Sequence, residues 1–310
     1  MTRAGFVAIV GAPNAGKSTL VNALVGAKVS IVTQKVQTTR FPVRGVAIEG
    51  DSQVVLVDTP GIFSPRRRLD RAMVGSAWIH AKDADHVVHL VDAKAQIDVA
   101  ASASTAAERR AAIDVATITE GLKAAGRPAI LALNKIDLVR RESLLELTRT
   151  LCEAGDYPEV FMISASTGSG VGDLKRRLAE IVPEAPWFYP ADQTADLPAR
   201  LLAAEITREK VYLRVHEELP YAASVITTAF EERADGSARI EQTIFVERDS
   251  QRGILLGAGG RTLRWIGEAS RLEIGQILER TVHLFLHVKV KANWADDRET
   301  YQTLGLDFDV

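Results

Sequence analysis

The nine residues GAPNAGKST, positions 11 to 19, follow the apolar run FVAIV and lead straight into LVNALVG. A strand, a phosphate-binding turn and a helix are what such a stretch builds. It fits the pattern G-x-x-x-x-G-K-[ST], and its strand-before, helix-after context raises it above a chance glycine turn. Glycine lets backbone N–H groups wrap phosphate oxygens, and the helix that follows turns its positive end toward them. Lys17 is expected to reach the terminal phosphates of a nucleotide. Ser18 is expected to offer its hydroxyl to Mg2+, a hard cation that takes few protein oxygens. The turn by itself does not name the base.

The rest of the first half repeats the rhythm. FVAIV, VVLVD, HVVHLVD, PAILALNK and VFMISA are short apolar runs, each followed by a turn or a helix, which predicts a mostly parallel sheet wrapped by helices. Ligands of such sheets sit beyond the carboxyl ends of the strands, and there the polar motifs fall. DTPG, Asp58 to Gly61, places Asp58 at a strand end near the metal and lets the Gly61 N–H swing toward the terminal phosphate. NKID, Asn134 to Asp137, offers the Asp137 carboxylate to the N1–H and 2-amino group of guanine, a donor pair that adenine lacks. SAS, Ser164 to Ser166, brings the Ala165 N–H to guanine O6. Four motifs in this order predict a GTP/GDP site formed by Gly11, Asn14, Ala15, Gly16, Lys17, Ser18, Thr19, Asn134, Lys135, Asp137, Ser164 and Ala165. An ATP-driven P-loop machine is disfavoured because NKID selects guanine.

Between the phosphate loop and VVLVD lies TQKVQTTR, placed to fold over the terminal phosphate when GTP is bound. Thr38 and Thr39 are both candidates there for the metal. After Gly61 comes Ile62, where Ras-like GTPases place a water-orienting glutamine. Intrinsic hydrolysis should therefore be slow. The Ala- and Ser-rich stretch from Gln96 to Glu120 reads as a helix extension or a surface excursion without an assigned role.

A chain of 310 residues is long enough for two domains. PEAPWFYPADQTADLP, with four prolines, blocks regular structure and marks residues 183–198 as a linker between residues 1–182 and 199–310, although its aromatics could pack on a domain. Beyond it the pattern changes to a helix, two strands, two helices around Gly257, Ala258, Gly259 and Gly260, and a last strand. GxxG between two helices is the loop with which KH domains clamp about four nucleotides of single-stranded RNA. Arg252, Arg261 and Arg264 flank it and could hold phosphates, or stand as solvated helix arginines. Ile254, Leu255, Leu263 and Ile266 read as core or groove wall, and Lys289 and Lys291 as one face of the strand. The net charge of −2 means that any nucleic-acid contact comes from a local basic face. A single cysteine, Cys152, a first strand within a few residues of Met1 and no apolar run of spanning length lead to the expectation of a cytoplasmic protein.

The whole chain resembles the Era family of bacterial GTPases, which join a Ras-like G domain to a C-terminal KH domain. The residues that carry the resemblance are QTTR (37–40), DTPG, NKID, EITREK (205–210), ELPY (218–221), VER (246–248) and VKVKANWADD (288–297). It implies an α/β P-loop NTPase fold of the Ras-like kind followed by an α+β type II KH domain. It favours Thr39 over Thr38 as metal ligand, beside Ser18 and Asp58, and it gives Lys17, Thr39, Gly61 and Asn14 the hydrolytic roles, with K+ stimulation. The implied partners are the 3′ end of 16S rRNA and the 30S subunit, for a monomeric protein. Peripheral inner-membrane association is a further family property, for which the chain has no anchor. The family commonly carries a lysine or another polar residue inside the GxxG loop, where this chain has Ala258 and Gly259. The other reading left by the residues is a signalling or membrane-associated GTPase whose second domain binds protein, with GAGG serving only as a turn.

Overall fold

Strand β1 (Arg3–Val10) alternates its side chains between two cores, and this sets the architecture of the first half. Val7 and Ile9 enter one buried cluster with Leu20, Val21 and Leu24 of α1 (Lys17–Val25) and Leu174 and Leu178 of α6 (Val171–Ile181). Ala8 and Val10 point the other way, into a cluster with Ala77 and Ala81 of α2 (Arg68–Asp83) and Ile118 and Leu122 of α4 (Ala106–Ala124). A period of two on a strand covered on both faces gives helix, sheet and helix layers.

The computed structural model describes residues 1–310 except 34, 36, 37, 216–218 and 220–222. Gln37 of QTTR, and Glu218, Pro220 and Tyr221 of ELPY, therefore lie outside the described residues. The larger sheet has the order β6-β5-β4-β1-β3-β2-β7, with β2 (Val43–Glu49), β3 (Ser52–Asp58), β4 (His86–Asp92), β5 (Ile130–Asn134), β6 (Glu159–Met162) and β7 (Ala195–Asp196). Strands β1, β3, β4, β5 and β6 are mutually parallel, whereas β2 runs antiparallel to β3 and β7. Register opposes Ile9 to Asp58 and Asp92 to Asn134, so the loops after these strands open on one rim.

The proline-rich segment departs from the expectation of no regular structure. The Gln53 side chain accepts the N–H groups of Phe188 and Tyr189 and donates to the Tyr189 carbonyl. Phe188 stacks on Phe6 at 5.0 Å, and the Trp187 indole donates to the Asp51 carbonyl. With its course so fixed, Ala195–Asp196 pairs with β2 as a short edge strand, a place where a chain rich in proline can still supply its few free N–H groups.

The chain divides into two units, Met1–Ser30 with Thr39–Asp196 and Leu304–Val310, and Ile31–Thr38 with Leu197–Thr303. In the second, a sheet of order β10-β9-β8 combines β8 (Ser224–Glu232), β9 (Ala238–Val246) and β10 (Val282–Val290). Strand β9 is antiparallel to β8 and parallel to β10. Helices α7 (Ala199–Arg214), α8 (Asp249–Leu256) and α9 (Arg261–Ile277) cover one face, burying Val211, Ile244, Leu255 and Ile266. This is the order expected for a type II KH fold. Lys289 lies on β10, but Lys291 falls just beyond the strand end and pairs with Asp297.

Segment Ile31–Thr38 joins this second unit through EITREK. Glu209 accepts the Val32 N–H (2.9 Å), and Arg208, 2% exposed and ion-paired with Glu205, donates to the Thr38 carbonyl. Lys35 donates to the carbonyls of Tyr212 and Val215 at the end of α7. No helix among the described residues is long and apolar enough to cross a membrane.

Candidate functional site

The turn after β1 has the backbone that its sequence demands. Gly16 stands at φ 100°, and a Cβ there would lie 2.4 Å from the Asn134 amide nitrogen. A Cβ on Gly11 would meet the Leu90 carbonyl oxygen at 2.4 Å. Neither position takes a side chain without displacing its neighbours. Asn14 also lies in the left-handed region, at φ 63°, where asparagine is one of the few tolerated residues.

Lys17 is buried, and its ammonium donates to the carbonyls of Gly11 (3.0 Å) and Ala12 (2.9 Å) rather than pointing out of the loop. Burial lowers its pKa to about 8, against the opposing charges of Asp58 and Asp114.

Ser18, Thr39 and Asp58 converge. The Ser18 hydroxyl donates to Asp58 Oδ2 at 2.7 Å, Thr39 Oγ1 donates to the same oxygen at 3.1 Å, and the two hydroxyls lie 2.9 Å apart. The adjacent threonines diverge: Thr38 bonds within its own loop, to Thr33 Oγ1 (2.7 Å) and the Lys35 carbonyl (2.8 Å). Asp58 is 0% exposed, and its Oδ1 has no hydrogen-bond partner of ordinary length among the described residues. Burial raises the Asp58 pKa. The Ser18 hydroxyl, the Lys17 charge and the hydroxyls of Ser30 and Thr39 oppose that rise, Ser30 acting from beyond ordinary hydrogen-bond length. Two hydroxyls and a carboxylate with an oxygen to spare form the hard-oxygen donor set that suits Mg2+.

The base-side loops are tied to the phosphate loop by side chains. Asn134 donates to the Ala15 carbonyl (2.8 Å) and accepts the Ala165 N–H (2.9 Å). The Ala165 N–H, the expected donor to guanine O6, is here given to the Asn134 amide oxygen and so links the two loops. Lys135, at φ 65°, donates to the Asn14 carbonyl (2.9 Å) and pairs with Asp92. Asp137 is exposed on the turn Ile136–Leu138, with no hydrogen bond or ion pair among the described residues. Ser164 is buried, and its hydroxyl accepts the Thr167 N–H (3.3 Å). Gly61 is packed so closely on Pro13 that a Cβ would meet its backbone at 3.1 Å, and the Ile62 N–H donates to the Gly11 carbonyl.

Sequence reasoning passed over two buried groups near this site. His89 on β4, bonded to the Tyr157 hydroxyl (2.7 Å), is held neutral by burial and by the Lys17 charge, its pKa lowered to about 3. Asp114 lies on the buried side of α4 among Val115, Ile118, Thr119 and Leu122. That stripe, at positions 114, 115, 118, 119 and 122, is visible in the sequence, and a carboxylate in it was the available signal.

In the second unit, Gly257, Gly259 and Gly260 all have positive φ, at 68°, 61° and 75°. A Cβ on Gly257 would collide with Thr262, whereas Gly259 and Gly260 face open space. Arg252, Arg261 and Arg264 are exposed around the loop, and Arg261 Nε donates to the Ala258 carbonyl at 3.1 Å. Leu255 and Ile266 are core, Leu263 packs against that core, and Ile254 is exposed beside the loop.

Two family models match the chain: that of the 50S ribosome-binding GTPases over residues 6–135, and the KH domain over residues 218–295. GTPase Era of Caulobacter vibrioides (strain NA1000 / CB15N) is 70% identical over 100% of this chain and 98% of its own length. GTPase Era of Maricaulis maris (strain MCS10) is 58% identical, covering 99% and 98%. Among solved structures, Era in complex with MgGDPNP and nucleotides 1506–1542 of 16S ribosomal RNA superposes with a TM-score of 0.88 at 33% identity, covering 98% of this chain and 99% of that one. An Aquifex aeolicus Era variant bound to GDP·AlF4− gives 0.87 at 33% identity over the same shares. A Ras-like pocket with guanine-selecting motifs, a KH unit after it in the chain, and relatives this similar along their full length lead to one assignment: the chain belongs to the Era family of GTPases.

Proposed function

We propose that this protein is a GTP-switched RNA-binding factor that engages the 3′ end of small-subunit rRNA and assists assembly of the 30S subunit. The observation that carries this reading is the GAGG loop: three glycines at positive φ between two helices, Gly259 and Gly260 facing open space, with Arg252, Arg261 and Arg264 exposed around them. Its support is the similarity to an Era structure that holds nucleotides 1506–1542 of 16S rRNA. The loop's backbone lets a nucleic-acid chain approach, and the arginines supply the charge that Ala258 and Gly259 do not. Gly260→Asp places a carboxylate on that surface at φ 75°. Affinity for a labelled single-stranded RNA copying the rRNA 3′ end is expected to fall at least about tenfold, with GTP turnover unchanged. Unchanged RNA binding would favour the reading in which the second unit binds protein.

In the G domain, Gly11, Asn14, Ala15, Gly16, Lys17, Ser18 and Thr19 bind the phosphates, and Asn134, Lys135, Asp137, Ser164 and Ala165 the base. Ser18, Thr39 and Asp58 hold Mg2+, which supplies positive charge to the phosphate oxygens. Lys17 leaves the Gly11 and Ala12 carbonyls for the terminal phosphates. Gly61 directs its N–H to the phosphoryl group that is transferred, and Asn14 would hold K+, which would supply positive charge beside the phosphates. Replacing K+ by Na+ at constant ionic strength is expected to lower kcat about tenfold, a difference that Asn14→Ala removes. Equal rates in both salts would contradict the role given to Asn14. The protein acts as a monomer in the cytoplasm.

A further inference from the structure

Segment Ile31–Thr38 and the helix that follows the GAGG loop are both tied to one short stretch of α7, and the ties meet at Glu209. Its Oε1 accepts the Val32 N–H at 2.9 Å, and its Oε2 accepts the Lys210 ammonium at 2.9 Å. Lys210 pairs in turn with Glu273 of α9, the helix that starts at Arg261 directly after Gly260. The side chains of Glu209, Lys210 and Glu273 are 4%, 12% and 21% exposed. Charges so little hydrated are weakly screened, so a shift of one is felt by the next. A buried ion network contributes little net stability, and its best-attested use is to fix register.

A second tie runs along the same helix. Lys35 donates to the carbonyls of Tyr212 and Val215 at the end of α7, and Arg214, between them in the chain, lies 5.5 Å from the ring centre of Trp265, near the start of α9. The segment is also braced on itself, Thr38 and Thr33 joining their hydroxyls at 2.7 Å. The next residue is Thr39, whose hydroxyl donates to Asp58 beside Ser18. One peptide bond therefore separates the residues held by α7 from a residue of the metal site.

We infer that Glu209, Lys210 and Glu273 are the relay through which the nucleotide state reaches the RNA-binding loop. The inference rests on the switch reading proposed above and gives that switch a path. With Thr39 drawn to Ser18 and Asp58, residues 31 to 38 lie on α7, Glu209 holds Val32, and Lys210 keeps α9 and the glycine loop before it in the register that accepts RNA. With Thr39 released, the segment loosens from Glu209, and that register is lost. Linkage makes the effect reciprocal: bound RNA strengthens the hold on Val32.

The test measures Kd for single-stranded rRNA 3′-end RNA on the full chain, with a non-hydrolysable GTP analogue and with GDP, in wild type, Glu209→Ala and Glu273→Leu. Thermal unfolding and GDP affinity serve as folding controls. Glu273→Leu leaves Lys210 paired with Glu209, so the fold should survive it, and it decides alone if Glu209→Ala fails those controls. The preference for the GTP state is expected to fall from at least about tenfold in wild type to about twofold or less in each variant. Bound RNA should slow hydrogen exchange of the Val32 amide in wild type and leave it unchanged in Glu273→Leu. A wild-type preference kept by Glu273→Leu, even with RNA binding weakened equally in both states, would overturn the inference, as would Val32 exchange in wild type that ignores RNA. The two levels separate in the wild type: equal affinity in both states there defeats the switch reading and the relay with it, whereas a tenfold preference that the variants retain defeats only the relay.

Discussion

Asp137→Asn is expected to weaken GTP binding about a thousandfold and to make xanthosine triphosphate the better ligand. Asp137 sits exposed on a tight turn that Lys135 enters at φ 65°, and its carboxylate is committed to no partner among the described residues. It is therefore available to accept two hydrogen bonds, from guanine N1–H and the 2-amino group. An asparagine offers one acceptor and one donor, so it loses one charge-assisted bond and sets an amide N–H2 against the amino group. Bonds to charged groups contribute about 1.5–3 kcal/mol each. Losing one and opposing the other amounts to about 4 kcal/mol, or about a thousandfold at 1.4 kcal/mol per tenfold. Xanthine carries a carbonyl where guanine has the amino group, which restores complementarity to the amide. Competition titrations with the two nucleotides measure this directly. GTP affinity that survives the substitution would mean that another group reads the base.

Arg208→Ala is expected to destabilise the second unit by about 3 kcal/mol, because breaking a buried ion pair strands the remaining charge. Arg208 lies at 2% exposure between Glu205 and the Thr38 carbonyl, with its guanidinium 5.2 Å from the Tyr212 ring centre. Burial works against its charge, yet the Glu205 carboxylate prevails and raises its pKa. The unfolding transition of the unit should fall by about 10 °C. The Val32 amide, which donates to the neighbouring Glu209, should lose protection from hydrogen exchange. Arg208→Lys is expected to rescue little, since an ammonium has neither the planar fork nor the stacking surface. Unchanged melting and unchanged Val32 exchange would show that segment Ile31–Thr38 is held by other contacts.

Much of this was legible because the chemistry is local. Gly16, Lys17 and Ser18 follow a strand within a fixed spacing, and Asp58, Asn134 and Ala165 each stand at or just beyond a strand end, so pattern and place agree. The helix and strand order of the second unit could be read for the same reason. What could not be read depended on contacts distant in sequence. EITREK stood out as a family token, but only the fold shows Arg208 and Glu209 holding residues 31 to 38. The choice between Thr38 and Thr39 is one of backbone direction, which two identical side chains cannot encode. The edge strand Ala195–Asp196 forms because Gln53, remote in sequence, orders the chain around Tyr189. Asp114 was hidden in an Ala-rich helix, where only the fold shows that its carboxylate is buried.

Control of RNA engagement by the nucleotide is measured directly by the affinity of single-stranded rRNA 3′-end RNA for the full chain with a non-hydrolysable GTP analogue and with GDP, at one fixed salt concentration. Binding at least about tenfold tighter with the GTP analogue, corresponding to about 1.4 kcal/mol of coupling, is the predicted result. Equal affinity in the two states would contradict it.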